Sequence, residues 1–287
     1  MTRVSYVLPN VCEISQRGGL LNRWTLAKDL GCDYVEVPAD LTKNSSEMDK
    51  TGLALGQFLG DEDIPKLYKS DSELPEELNY ILHTEPSLVR HDGFGLAFQA
   101  PLLWNDENWR KRFAKMAVSI SEFLNVPASV IEIHPGDKRN SFDDLLAGAR
   151  SLLNLYAKEI HAEPLIMLEN RTGQIVSTGD DIQRFWRLLV ETNPEIRDKV
   201  GIVLDIQQLF TVTKKDFLKA LGVIPPEAIR GLHIHRNHNV PRKGDAIPWE
   251  GVFERMKLIK NDIIINPEVL HKNWIEPTIR FCQGFLG

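Results

Sequence analysis

Cysteine is scarce in this chain: only three occur among 287 residues, at Cys12, Cys32 and Cys282. An odd and widely spaced set fits neither a disulfide framework nor a cysteine-rich zinc site, so we expect reduced and partly buried thiols. Long apolar runs are also missing, and none approaches the roughly 18 residues that a membrane-spanning helix needs. We therefore expect no membrane association.

A secretory signal and an excess of positive charge are absent as well. Residues 1–10 contain neither a basic region followed by a long apolar stretch nor a small-residue cleavage site, which predicts a cytoplasmic protein. Lys and Arg number 34 against 40 Asp and Glu, a formal net charge of −6. This balance gives no general attraction to phosphate backbones, so nucleic acid is a disfavoured partner, although a local basic patch stays open.

What the sequence does contain is a repeated alternation of short β-branched runs and longer segments with apolar residues at helical spacing. Eight strands are predicted, at residues 4–8, 34–37, 80–83, 130–134, 165–169, 201–205, 231–235 and 263–266. Helices are predicted at residues 19–30, 105–124, 142–160, 180–191, 214–221 and 249–257 and near the C-terminus. This alternation favours a parallel sheet, and eight units favour closure into one (β/α)8 barrel domain over residues 1–287. Residues 41–75 fit least and predict an irregular excursion.

Polar side chains stand at the carboxyl ends of six of these strands, where a barrel presents side chains to substrate. They are His83, His134, Glu169, Asp205, His233 with His235, and Glu268. Burying several carboxylates in one cavity is costly unless a cation or a proton compensates them, so we predict a divalent metal ion. Carboxylates with an imidazole suit Mn²⁺, Mg²⁺ or Co²⁺, and the histidine also admits Zn²⁺.

Five segments, in this order, resemble the xylose isomerase-like TIM-barrel superfamily over nearly the whole chain. They are EIHPG at 132–136, LENRTG at 168–173, VLD at 203–205, LHIH at 232–235 and GDAIPW at 244–249. That superfamily contains sugar isomerases and epimerases, inosose dehydratases and zinc-dependent apurinic-site endonucleases. The resemblance implies four metal ligands at the ends of the last four strands: Glu169, Asp205, His233 and Glu268.

The resemblance also implies a metal-dependent isomerase or epimerase of sugars or sugar phosphates. In such a reaction the metal ion stabilises an enediolate, while Glu169 and Glu268 remove and return a proton at carbon. Six further residues are predicted to contact the carbohydrate substrate: His83, His134, Gln208, His235, Arg236 and His238. Gln208 stands where the family often has a histidine, and its amide can hydrogen-bond a sugar hydroxyl. Arg236, in a basic loop, can contact a phosphate or carboxylate.

Two alternatives stay open. His83 and His134 fall where the endonuclease branch places ligands for additional zinc ions, which predicts a phosphodiesterase. Two departures count against it, because Gln208 is a poor metal ligand and the later Asp-x-His pair is not visible in residues 237–243. The other alternative is a barrel that binds a small molecule without turnover, since a fold alone does not give function. Either an oligomer or a monomer is compatible with the sequence.

Overall fold

The structure, a computed structural model, describes residues 3–10, 19–39, 64, 79–84, 87–88, 98–99 and 102–286. Its strands are β1 (Val4–Leu8), β2 (Tyr34–Pro38), β3 (Tyr80–His83), β4 (Ser87–Leu88), β5 (Phe98–Gln99), β6 (Val130–Ile133), β7 (Leu165–Glu169), β8 (Val200–Asp205), β9 (Ile229–His233) and β10 (Ile263–Asn266). β4 and β5 form a separate antiparallel pair. The other eight strands are parallel and close into a barrel in the order β1-β2-β3-β6-β7-β8-β9-β10. The predicted (β/α)8 barrel is confirmed.

Eight α-helices accompany the barrel within the described residues. They are α1 (Gly19–Asp29), α2 (Glu107–Leu124), α3 (Phe142–Glu159), α4 (Gly179–Thr192), α5 (Ile206–Thr213), α6 (Phe217–Val223), α7 (Trp249–Met256) and α8 (Lys272–Leu286). All eight predicted strands are present, with ends within two residues of the prediction. The helix predicted at residues 214–221 divides into a 3-10 turn, Lys214–Asp216, followed by α6. Of the predicted excursion at residues 41–75, all but Ile64 lies outside the described residues.

Side-chain caps fix where the helices begin. The Asp106 carboxylate accepts from two backbone N–H groups at the start of α2, and Ser141 and Thr178 form capping boxes at the starts of α3 and α4. α5 begins in the same way, because Asp205 Oδ1 accepts from Gln208 N at 2.8 Å. The sequence did not predict α5, since its β-branched residues are poor helix formers and its cap had been assigned to metal binding.

Inside the barrel, an apolar layer, the floor, lies beneath the polar residues at the carboxyl ends of the strands, the mouth. Five buried residues form the floor and are separate from the main core between strands and helices: Val7, Ile81, Val130, Met167 and Val203. Because residues two apart on a strand face the same side, the residues two positions beyond floor residues also point inward. His83 follows Ile81, Glu132 follows Val130, and Asp205 follows Val203. The strand period therefore places charged groups directly above apolar ones.

Two further expectations concern thiols and membranes. Cys32 and Cys282 are free and buried, while Cys12 lies outside the described residues. Burial, above all, raises the pKa of both thiols to about 12, so they stay protonated at neutral pH. Among the helices that the structure describes, none has the length and apolar character needed to cross a membrane.

Candidate metal centre

Nine buried side chains converge at the carboxyl ends of seven barrel strands. They are Glu36, His83, Glu132, His134, Glu169, Asp205, His233, His235 and Glu268. Seven of them were predicted from the sequence to lie in the site, and Glu36 and Glu132 were not. Five carboxylates in one buried volume repel one another, so the arrangement is costly without compensating positive charge.

The four predicted ligands lie close together, and two of them approach one ring nitrogen of His233. Glu169, Asp205 and His233 each offer a ligand atom within 4.8 Å of the others. His233 Nδ1 lies 3.8 Å from Glu169 Oε1 and 3.6 Å from Glu268 Oε2. This nitrogen is buried and has no hydrogen-bond partner within the described part of the chain. A divalent cation held among these groups would satisfy both the nitrogen and the carboxylates, so the residues present fit a metal ion.

A tight turn after β10 brings Glu268 to the mouth. Glu268 N donates to Asn266 O at 3.0 Å, and Val269 N donates to Pro267 O at 2.7 Å. The carboxylate then lies 3.0 Å from His235 Nε2, at Oε2. Burial by itself would raise the pKa of Glu268, but His235 and His233 lower it overall. In contrast, burial raises the pKa of Glu169 to about 7, even though His233 and His83 act in the opposite direction.

A second group of potential ligand atoms lies beside the first. His83 Nε2 and His134 Nε2 are 3.0 Å apart. Glu169 Oε2 lies 3.6 Å from the former and 3.4 Å from the latter. Ligand atoms around a tetrahedral zinc ion, with bonds of about 2.0–2.1 Å, are about 3.3 Å apart. The distances between these ligand atoms are therefore compatible with a second metal ion.

Arg171 opposes that second ion. Its Nη1 lies 3.2 Å from His134 Nδ1, and a guanidinium can only donate, so Nδ1 must carry the lone pair. Burial, together with the charges of Arg171 and His83, holds the pKa of His134 well below its usual range, which keeps the ring neutral. The ring proton is then on Nε2, where it donates toward Glu169 or His83 and blocks metal binding. The sequence reasoning missed Arg171, although it lies in the LENRTG segment.

The loop after β9 is a tight turn rather than a continuation of the strand. The prediction placed residues 231–235 in the strand, whereas β9 ends at His233. Arg236 and Asn239 exchange two backbone hydrogen bonds of 3.0 Å, and Asn237 and His238 between them have φ of 48° and 55°. This turn stacks the ring of His238 on that of His235, with centroids 4.6 Å apart. The turn thereby places His235 and His238, both predicted to contact substrate, beside Glu268.

Two other predicted substrate residues have partners within the protein. Gln208 Oε1 accepts from Thr172 N at 3.1 Å and so ties the start of α5 to the loop after β7. Arg236 Nε lies 3.4 Å from Asp245 Oδ1, and its side chain is 47% exposed. Arg236 is therefore held toward its own loop and toward solvent, whereas His83, His134 and His235 lie in the buried cluster.

Glu36 and Glu132 are two further buried carboxylates of the mouth that were not predicted from the sequence. Glu36 accepts hydrogen bonds from the Asn10 backbone and from His83 Nδ1. Glu132 Oε1 lies 3.0 Å from His233 Nε2. The signal was present in the sequence, because each residue is an acid inside an otherwise apolar strand. Each therefore contacts a histidine of the mouth.

A family model described as xylose isomerase-like TIM barrel matches residues 24–282. This chain belongs to that family. The matched span of this xylose isomerase-like barrel includes all nine buried residues of the mouth, and the resemblance seen in the five sequence segments is confirmed.

Solved structures share the whole fold at low sequence identity. A D-psicose 3-epimerase from Clostridium cellulolyticum H10, solved with D-tagatose, aligns with a TM-score of 0.59 and 14% identity, covering 100% of this chain and 99% of that one. An AP endonuclease of family 2 from Brucella melitensis aligns at 0.55 and 12%, covering 99% of each chain. The IOLI protein with a bound zinc atom aligns at 0.52 and 12%, covering 100% and 98%. Identities this low establish the fold alone. No curated protein matched by sequence.

Proposed function

We propose that this barrel is a metal-dependent isomerase or epimerase of sugars or sugar phosphates. The observation that carries the proposal is the approach of two carboxylates to His233 Nδ1, a nitrogen with no hydrogen-bond partner in the described part of the chain: Glu169 lies at 3.8 Å and Glu268 at 3.6 Å. They come from strands separated by β8 and β9, so they flank the proposed ion. The fold shared with D-psicose 3-epimerase and L-ribulose 3-epimerase supports a carbohydrate substrate.

The chain's own residues account for the proton transfers. A divalent ion held by Glu169, Asp205, His233 and Glu268 would supply the positive charge that stabilises an enediolate. Glu169 would remove the proton at carbon, and Glu268 would return it from the other side, or the reverse. The Nε2–H of His134, 3.4 Å from Glu169 Oε2, would hold that carboxylate in place. The apolar floor beneath the mouth would exclude water from below.

Solvent-deuterium exchange tests this function. The purified protein would be loaded separately with Mn²⁺, Mg²⁺, Co²⁺ and Zn²⁺ and incubated in D₂O with a panel of aldoses, ketoses, sugar acids and sugar phosphates. We expect deuterium to enter one of these compounds beside its carbonyl group.

Glu268→Gln should slow that exchange by about 10²- to 10⁴-fold, the usual contribution of a general acid or base. Glu276→Gln, on the exposed face of α8, is the matched control and should exchange at the wild-type rate. Absence of exchange with every metal and every compound would refute the proposal.

A metal-dependent phosphodiesterase is the second candidate, favoured by the spacing of His83, His134 and Glu169. Their ligand atoms are separated by 3.0, 3.4 and 3.6 Å, close to what a second ion requires. Nicking of duplex DNA at an abasic site, lost with chelator and in His134→Ala, would support it. A barrel that binds small molecules without turnover would show neither exchange nor nicking.

Metal stoichiometry separates the two catalytic candidates. Because Arg171 keeps the proton of His134 on Nε2, we expect one Mn²⁺ or Zn²⁺ per wild-type chain and one per His134→Ala chain. Elemental analysis after desalting, with calorimetric titration, measures both values. Two ions in the wild type and one in His134→Ala would instead identify His134 as a ligand and favour the hydrolase.

A further inference from the structure

Glu132 is a buried carboxylate that the proposed reaction does not use. It lies on β6, two residues before His134, and is 1% exposed. Its Oε1 lies 3.0 Å from His233 Nε2 and 3.6 Å from His83 Nε2. β7 and β8 separate β6 from β9 in the barrel, so the Glu132 side chain reaches His233 across the barrel interior. A charge in this position requires a reason, because burial of a carboxylate is costly.

The two nitrogens of His233 have different surroundings. Nε2 faces Glu132, whereas Nδ1 faces Glu169 and Glu268 and has no hydrogen-bond partner among the described residues. A neutral imidazole carries one N–H, and only the other nitrogen has a lone pair for a metal ion. His233 can therefore bind a metal ion on the side of Glu169 and Glu268 only when its hydrogen is on Nε2.

We propose that Glu132 is a positioning residue that keeps the N–H of His233 on Nε2 and so leaves Nδ1 free to bind the metal ion. This inference rests on the proposed metal site and adds to it Glu132, a residue that is not one of the four ligands. A carboxylate behind a metal-bound histidine fixes the orientation of the ring and makes its coordinating nitrogen more basic. Glu132 Oε1 lies 3.0 Å from Nε2 but off the N–H direction, so the carboxylate favours a hydrogen on Nε2 by charge–dipole attraction and not through an aligned hydrogen bond.

Asn266 is the competing neighbour of the same nitrogen. Its amide Nδ2 lies 3.5 Å from His233 Nε2, farther away than Glu132. Donation from that amide to Nε2 would move the ring hydrogen to Nδ1 and exclude the metal ion. The amide oxygen, Oδ1, is buried and has no partner among the described residues, so an amide rotated by 180° would accept from Nε2–H. Both neighbours are then compatible with a hydrogen on Nε2.

Affinity for Mn²⁺ alone tests the role of Glu132. We expect Glu132→Gln, which keeps the shape and removes the charge, to weaken Mn²⁺ binding in calorimetric titration by about 10- to 100-fold, as for other outer partners of metal-bound histidines. Glu276→Gln, the same change on the exposed face of α8 and outside the buried cluster, is the control. Its Mn²⁺ affinity should stay at the wild-type value. Equal affinity of Glu132→Gln and wild type would overturn the inference.

Ring spectra of the wild-type protein give a readout that does not depend on any variant folding. In protein loaded with diamagnetic Zn²⁺, ¹H–¹⁵N correlation spectra should show His233 with hydrogen on Nε2 and metal on Nδ1. Hydrogen on Nδ1, or metal on Nε2, would refute the assigned role while leaving the metal site intact. A wild-type protein that takes up neither Mn²⁺ nor Zn²⁺ would refute the proposed function, and this inference with it. The two failures are therefore distinguishable.

Discussion

Asp205→Asn is expected to weaken Mn²⁺ binding by at least about 100-fold, more than the 10- to 100-fold typical of losing an outer partner of a ligand. The substitution removes one of the carboxylates grouped with His233 and replaces a strong oxygen ligand with a weak one. It preserves the fold, because Asn caps helices about as well as Asp and can still accept from Gln208 N at the start of α5. The loss of affinity would thus report on the metal site and not on the start of α5.

The control for this variant is Asp106→Asn, which makes the same change at another helix cap. Asp106 caps α2, where its carboxylate accepts from Asn108 N at 2.8 Å, and it is not among the buried residues of the mouth. Calorimetric titration with Mn²⁺ should give the wild-type affinity for Asp106→Asn, and both variants should unfold near the wild-type temperature. An Asp205→Asn protein that binds Mn²⁺ normally would remove Asp205 from the ligand set.

Gly179→Ala is expected to lower the free energy of unfolding by about 3 kcal/mol, the upper end of the usual cost of overpacking. A Cβ at this first residue of α4 would lie 1.9 Å from the carbonyl oxygen of Ala220 and 2.7 Å from its carbonyl carbon. These are backbone atoms of α6, so no side-chain rotation relieves the clash. The two helices would have to separate. Denaturant unfolding followed by circular dichroism measures the change.

Gly222→Ala, on the same helix as Ala220, is the comparison for that experiment. A Cβ at Gly222 meets no heavy atom of the described residues within 4 Å, so we expect a gain of about 0.5–1 kcal/mol from the higher helix propensity of alanine. The two variants should therefore shift the unfolding midpoint in opposite directions. Similar midpoints would show that α4 and α6 do not pack as closely as the structure indicates.

The sequence predicted the barrel well because its strands carry a strong local signal. Leu165–Glu169 and Ile263–Asn266 are short β-branched or apolar runs with polar residues at or just after their ends, and both were placed at their observed bounds. α5 was missed because one residue, Asp205, has two roles, as a candidate ligand and as a helix cap. The end of β9 was misplaced because the turn at Asn237 and His238 depends on positive φ angles, which these residues adopt less readily than glycine.

The sequence by itself determined the family, the closed parallel barrel and the convergence of Glu169, Asp205 and His233. The family follows from the resemblance of five segments, whereas the barrel and the convergence follow from the succession of strands along the chain and from their two-residue period. Only the tertiary structure decided that Glu132 lies behind His233 and that Arg171 donates to His134. Both contacts join residues on different strands across the barrel or at its mouth, and their effect depends on which ring nitrogen each one reaches. Which atoms come into contact depends on how the barrel closes, because sequence spacing determines the face on which a side chain lies but not the atom that it contacts.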